Sequence, residues 1–175
     1  MPLHHVRSAQ PADAQAVVDL VNRIARSDHT LGIDYFPLSA SDEAAFLRSA
    51  DPTVYLTLLA FAEEQPQPLG VLTASRGTND NLRHVSALAI AVAAESRRQG
   101  IGRSLLEAFF GWAQKVGVEK CTLSVLSHNA PARALFVEAG FSAEAVRKGQ
   151  YRVDGRLVDE VLMACWLMGE SAHAG

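Results

Sequence analysis

The stretch HVSALAIAVAAESRRQGIGRSLLEAFFGWAQKVGVEKCTLSVL, residues 84–126, decides the fold. It opens with an apolar run from His84 to Val92 and crosses a polar turn. From about Gly100 to Val116 the apolar residues Ile101, Leu105, Leu106, Phe109, Ala113 and Val116 then recur along one helical stripe. Gly117 closes that helix, and Lys120 to Leu126 is a second apolar strand. Strand, helix and strand in this order make a βαβ unit whose crossover helix lies against the sheet.

Upstream, Leu3 to Arg7 reads as a short strand. Pro11 and Asp13 start a helix over about 11–27, with Ala14, Val17, Val18, Val21 and Ile24 on its buried face. His29 to Ser39 mixes Gly, Pro and aromatic residues without periodicity, as loops over pockets do, and Ser41-Asp42-Glu43 caps a short helix through about Arg48. Val54 to Ala62 and Leu69 to Ser75 flank Gln65-Pro66-Gln67-Pro68 and read as a hairpin, with the next turn at Gly77 to Asn81. Downstream, Asn129 caps a helix with Pro131 in its first turn, Ala132, Leu135, Phe136 and Ala139 on one face, and Gly140 as its stop. Phe141 to Val146 and Leu157 to Leu167 are the last strands, and the small, polar residues after Met168 read as a fraying tail.

Composition bounds the partners. A chain of 175 residues with 49% hydrophobic residues is the size of one domain. A formal net charge of -3 gives no general attraction to nucleic acid or anionic lipid. No signal-peptide core and no run of 18 apolar residues is present, so a cytoplasmic protein without a membrane partner is expected. Cys121 and Cys165 lie in apolar runs without CxxC spacing, as reduced, buried cysteines do, and neither a metal site nor a disulfide framework is suggested.

The chemistry sits in Arg97-Arg98-Gln99-Gly100-Ile101-Gly102-Arg103-Ser104. A pyrophosphate needs converging backbone N–H groups, a helix N-terminus aimed at it, and no Cβ in the way. Gly100 and Gly102 let the backbone approach, the helix starts there, and Arg97, Arg98 and Arg103 add guanidinium groups. The spacing is neither GxGxxG nor Gly-Lys-Ser/Thr, which sets aside a dinucleotide fold and a P-loop.

With Arg97, Gly100 and Gly102 in this spacing after Ile90-Ala91-Val92, and with Asn129-x-x-Ala132-x-x-Leu135-Phe136-x-x-x-Gly140-Phe141 following, the chain resembles the GCN5-related N-acetyltransferases. The resemblance covers about residues 84–167 well and the first half more loosely. It implies an α/β fold: one domain over 1–168 with a flexible tail at 169–175, and a mixed, mostly antiparallel sheet of about six or seven strands. About four helices would flank that sheet, which would splay between strands 84–92 and 120–126. Acetyl-CoA, as co-substrate, would lie in that gap with its pantetheine along Ile90, Ala91 and Val92, its phosphates on Arg97 to Ser104, and Asn129, Ala132 and Phe136 beside it. The tail Tyr151 to Met163 is similar to branches that acetylate amino acids, other small amines or protein α-amines, and His29-Thr30-Leu31-Gly32 resembles the acceptor loop of the amino-acid branch. Direct attack by a small primary amine in a ternary complex is therefore expected. A protein N-terminal or lysine acetyltransferase, and a CoA-binding sensor with weak catalysis, are the alternatives. A homodimer sharing a sheet edge belongs to the same resemblance.

Amine acetylation requires loss of a proton from a group with a pKa near 10. His84 and Ser86 are the nearest candidates for that role on a strand without a carboxylate, and His128 is a third. Asp159 and Glu160 are adjacent on a strand and point to opposite faces, so at most one faces the acceptor. A backbone N–H near Ala89 or Ile90 would serve the oxyanion. Many relatives carry a tyrosine acid at the position of Phe136, which cannot donate a proton, so Ser127, Tyr151, water or unassisted thiolate departure would replace it. Asn129 is assigned both capping and a place beside the thiol.

Overall fold

In a computed structural model that describes residues 4–28, 30–33, 35–63 and 65–167, seven strands form one sheet. The elements are β1 (His4–Ser8), α1 (Ala14–Asp28), α2 (Ala40–Ser49), β2 (Tyr55–Ala62), β3 (Pro68–Arg76), β4 (Val85–Val92), α3 (Ile101–Lys115), β5 (Lys120–Leu126), α4 (Ala130–Glu138), β6 (Ser142–Val153) and β7 (Arg156–Trp166). The sheet order is β1-β2-β3-β4-β5-β7-β6, with β4 and β5 parallel and every other neighbour antiparallel. The expected mixed, mostly antiparallel sheet with four flanking helices is what the chain forms. Leu3, His29 and the tail from Met168 onward lie outside the described residues.

Alternation in the central strands buries both faces of the sheet. Leu58 and Ala60 of β2 and Leu72 and Ala74 of β3 pack with Ile101, Leu105, Leu106, Phe109 and Ala113 of α3. Leu59 and Phe61 of β2 and Val71 of β3 pack with Val17, Leu20, Val21 and Ile24 of α1 on the other side. One residue's step in a strand changes the face, so a near-continuous apolar run serves both layers.

Local signals shift three boundaries. The first helix starts as a 3-10 turn at Pro11–Asp13, where Asp13 accepts the Gln10 N–H at 2.7 Å and holds Arg7 at 2.7 and 2.9 Å. The cap of α2 is Ser39 rather than Ser41, because the Ser39 Oγ accepts the Asp42 N–H. β6 does not stop at Val146 but continues to Val153 through a register shift between Arg147 and Tyr151. Its middle, Lys148 to Gln150, carries no apolar alternation and lies in that shift; the β7 pairs on either side of it, not patterning, define the strand. Cys121 and Cys165 are register partners, buried and free, and Cys165 beside it together with burial pushes the Cys121 thiol upward.

Candidate active site

β4 and β5 pair only at Val85 with Lys120, Ser86 with Cys121 and Ala87 with Thr122. Beyond that point β4 stays with β3 as far as Val92, and β5 stays with β7 as far as Leu126. The two strands therefore part. Leu88 to Val92 and Leu123 to Leu126 line the resulting cavity of about 870 Å³. On this side the β4 edge has no ladder partner among the described residues, and backbone N–H and C=O groups left so are open to an extended ligand.

The cavity passes through the sheet. Leu88, Leu123, Val125, Val161 and Met163 face the α3 layer. Residues of the opposite parity, Ala89, Ala91, Ser124 and Glu160, point to the α1 side. The two openings differ in chemistry.

On the α3 side, Ser96, Arg97, Arg98, Gly100, Ile101, Gly102 and Arg103 line the cavity. Arg98 (φ 63°) and Gly100 (φ 81°) are both left-handed, which turns the chain from β4 into α3 and bunches the intervening amides into an anion-binding concavity. Gly100, the N-cap, has no side chain to satisfy the first N–H groups of α3. The Arg97 Nε donates to the Val92 carbonyl at 3.1 Å, tying the loop to the end of β4. Gly102 has a packing reason as well: an added Cβ would lie 2.8 Å from Leu135 Cδ2, so its bare backbone lets α3 meet α4. Gln99 and Ser104 do not line the cavity; Gln99 donates to the Glu95 carbonyl at 3.3 Å, and the Ser104 hydroxyl bonds His4 Nε2 at 2.9 Å.

α4 closes the β5 side. Asn129 accepts the Ala132 N–H at 3.2 Å and, with His128, Ala132, Leu135 and Phe136, lines the cavity. Phe136 is buried and packs edge-on against Phe141.

The α1 side carries the loop of Thr30, Leu31, Gly32, Ile33, Phe36 and Pro37, together with Val21, Ile24, Tyr151 and Glu160. The Glu160 side chain is 5% exposed. It accepts from Arg147 at 2.9 Å and from the Tyr151 hydroxyl at 3.3 Å, and a hydrogen bond with Ser124 completes the set. Burial works to raise the Glu160 pKa, but the hydrogen bonds from Ser124 and Arg147, the charge of Arg147 and the Tyr151 hydroxyl outweigh it and hold the carboxyl below its ordinary value. Burial and the neighbouring Glu160 raise the Tyr151 phenol, which stays protonated near neutrality.

Of the residues expected to carry the proton, His84 and Ser86 fall at the closed end of the gap. The Ser86 side chain is fully buried and donates to the Ser75 carbonyl at 3.1 Å, while the His84 carbonyl accepts the N–H groups of Glu119 and Lys120. Neither lines the cavity; the four-residue step from His84 to Leu88 puts them where the strands still pair. Ser127 does not line it either. Asp159 and Glu160 do face opposite ways, with Asp159 bound outside by Lys148 and the Gly149 N–H. Ser124 and Arg147 were not singled out by the sequence. They join Glu160 only because β5, β6 and β7 are in register, which no local pattern states.

A model of the acetyltransferase (GNAT) family matches residues 19–141, and the chain belongs to that family. A [ribosomal protein bS18]-alanine N-acetyltransferase from Escherichia coli (strain K12) is 41% identical over 76 residues, 43% of this chain. The chain spans about half the length of that curated relative, 51%. Among solved structures, a GNAT-family acetyltransferase from Streptococcus pneumoniae superposes with a TM-score of 0.85 at 25% identity, covering 93% of this chain and 98% of that one. The structure of yncA from Salmonella typhimurium with its cofactor acetyl-CoA shares the fold, with a TM-score of 0.84 at 20% identity over 97% of both chains.

Proposed function

We propose that the protein transfers the acetyl group of acetyl-CoA to a primary amine by direct attack in a ternary complex. One observation carries this reading: a cleft passes through the sheet, with an arginine-rich helix start on one face and a buried carboxylate on the other. The residues fit such a co-substrate. Arg97, Arg98, Arg103 and the amides from Gly100 to Gly102 would hold the diphosphate. The free edge of Leu88 to Val92 would pair with the amides of the pantetheine arm, and Ala132 and Phe136 would pack beside it. Acetyl-CoA would supply the acetyl group activated as a thioester.

The chain's own contribution is then alignment and charge. A main-chain N–H on the free β4 edge would donate to the thioester oxygen as negative charge develops there. The amine nitrogen forms the new C–N bond as the C–S bond breaks, and the thiolate leaves. With Phe136 unable to protonate it, the thiolate of a thiol with a pKa near 8 to 9 departs unassisted or takes a proton from water. The amine's proton passes to water. Asn129, besides capping α4, would stand beside the thiol. A cytoplasmic setting belongs to the same reading.

A small amine is favoured as acceptor because Thr30 to Ile33, Phe36 and Pro37 line the α1-side opening and narrow it toward a small ligand. The protein α-amine reading keeps one specific support, the relative that acetylates an alanine of a ribosomal protein. Release of free CoA thiol, followed across amino acids, polyamines, an aminoglycoside and peptides, separates them. Turnover confined to peptides would replace the small-amine reading. Thermal stabilisation by acetyl-CoA without thiol release from any amine would leave a binding module instead.

A further inference from the structure

The α1-side opening combines two chemistries that no residue of the phosphate-binding side requires. Glu160 is a buried carboxylate that lines the cavity and is oriented from three directions, by Ser124 on β5 and by Arg147 and Tyr151 on β6. Register explains the convergence: Leu126 and Arg147 are the partners of Glu160 across β5 and β6, Ser124 is two residues from Leu126, and Tyr151 pairs with Val158 two residues from Glu160. All these side chains share the α1 face.

Tyr151 links this carboxylate to an apolar wall. A Cβ on Gly32 would lie 2.9 Å from the Tyr151 ring and hydroxyl, so the Gly32 backbone rests directly on the ring that bonds Glu160. Its chain neighbours Leu31 and Ile33 line the cavity with Phe36, and Val21 and Ile24 of α1 stand behind them. Glu160 keeps its ion pair with Arg147, and its carboxylate lines the same opening as the apolar residues Leu31, Ile33 and Phe36, an arrangement suited to a compact cation with an apolar body.

Resting on the acetyl-transfer reading above, we infer that the acceptor is a primary amine bearing an apolar substituent, its ammonium seated on Glu160 and its substituent against Leu31, Ile33 and Phe36. Glu160 thereby acts as the acceptor-binding group. A cation enters a site already built for charge, and the apolar groups of the loop are removed from water as the substituent packs on them. Attack follows when the seated nitrogen releases its proton to water, beside the gap through which the thioester is reached.

The test is steady-state thiol release with acetyl-CoA and four amines: ethylamine, isoamylamine, 2-phenylethylamine and 1,4-diaminobutane. Isoamylamine or 2-phenylethylamine should exceed ethylamine and the diamine at least tenfold in kcat/KM. Glu160→Gln should raise the KM of the preferred amine at least tenfold while the KM for acetyl-CoA stays within twofold. Should that variant fail to fold, Ile33→Asp on the exposed loop tests the same wall: the preference for apolar amines should fall at least tenfold. An amine KM unchanged in Glu160→Gln, or a preference unchanged in Ile33→Asp, overturns the inference while leaving acetyl transfer standing. Wild-type protein that releases thiol with none of these four amines overturns the inference, and only if amino acids, polyamines, an aminoglycoside and peptides also fail while acetyl-CoA binds does the acetyl-transfer reading fall with it.

Discussion

Gly100 and Glu160 are residues whose roles are set by geometry rather than by chemistry alone. A Cβ at Gly100 has room, since its nearest neighbour would be His4 Cε1 at 3.9 Å, but the backbone there is left-handed at φ 81°. Gly100→Val should therefore tilt the loop and weaken acetyl-CoA binding at least tenfold by isothermal titration, with an unchanged far-ultraviolet circular dichroism spectrum. Retained affinity would remove the diphosphate from this loop. For Glu160 the sign of the pH dependence follows from its lowered pKa: the charge persists below the ordinary 4.5 and is lost only as pH falls through the lower value. The KM of an alkylamine should then be flat between about pH 8 and 5, where Glu160 keeps its charge and the Tyr151 phenol stays neutral. A rise centred near pH 6 would point to a histidine instead. Phe136→Tyr should leave kcat equal or higher, because the wild-type ring donates no proton; a large fall in kcat would show that the apolar ring itself is needed.

Among elements, α4 depends on one side chain for its start. Asn129 accepts the Ala132 N–H, and the helix that follows carries Leu135 against Gly102 and Phe136 against the cavity. Asn129→Ala should cost about 1 kcal/mol in chemical denaturation. It should also weaken acetyl-CoA binding, since the wall of the cleft loosens with the cap. The α4 start was legible because Asn, Pro and the apolar spacing all act within one turn. The α2 cap was read two residues late because Ser39 and Ser41 satisfy the same local rule, and only the backbone geometry chooses Ser39. β6 beyond Val146 was not legible at all. Its residues Lys148, Gly149 and Gln150 show no apolar alternation and lie in a register shift, and the strand is defined by the pairs with β7 on either side, Arg147 with Glu160 and Tyr151 with Val158.

For the whole molecule, the candidate binding site is a discontinuity in an otherwise continuous sheet. The ladder between β4 and β5 stops after three pairs, leaving main-chain groups that a bound thioester arm would satisfy. Acetyl-CoA at about 100 times its Kd should stabilise the native state by about 2.7 kcal/mol. For a domain of this size that raises the Tm by about 5–10 °C. Absence of any shift would contradict the proposed ligand. The βαβ order, the helix start at Gly100, the capped α4 and the two-faced central strands follow from the amino-acid sequence by itself, because each rests on periodicity or on neighbours within a turn. The splay between β4 and β5 was already implied by the family resemblance of residues 84–167, whereas the meeting of Ser124, Arg147, Tyr151 and Glu160 on its α1 side was decided by the tertiary structure alone. Register between β5, β6 and β7 is a long-range property: it brings Glu160 to the gap, while His84 and Ser86, expected to take the amine's proton, stay at its closed end.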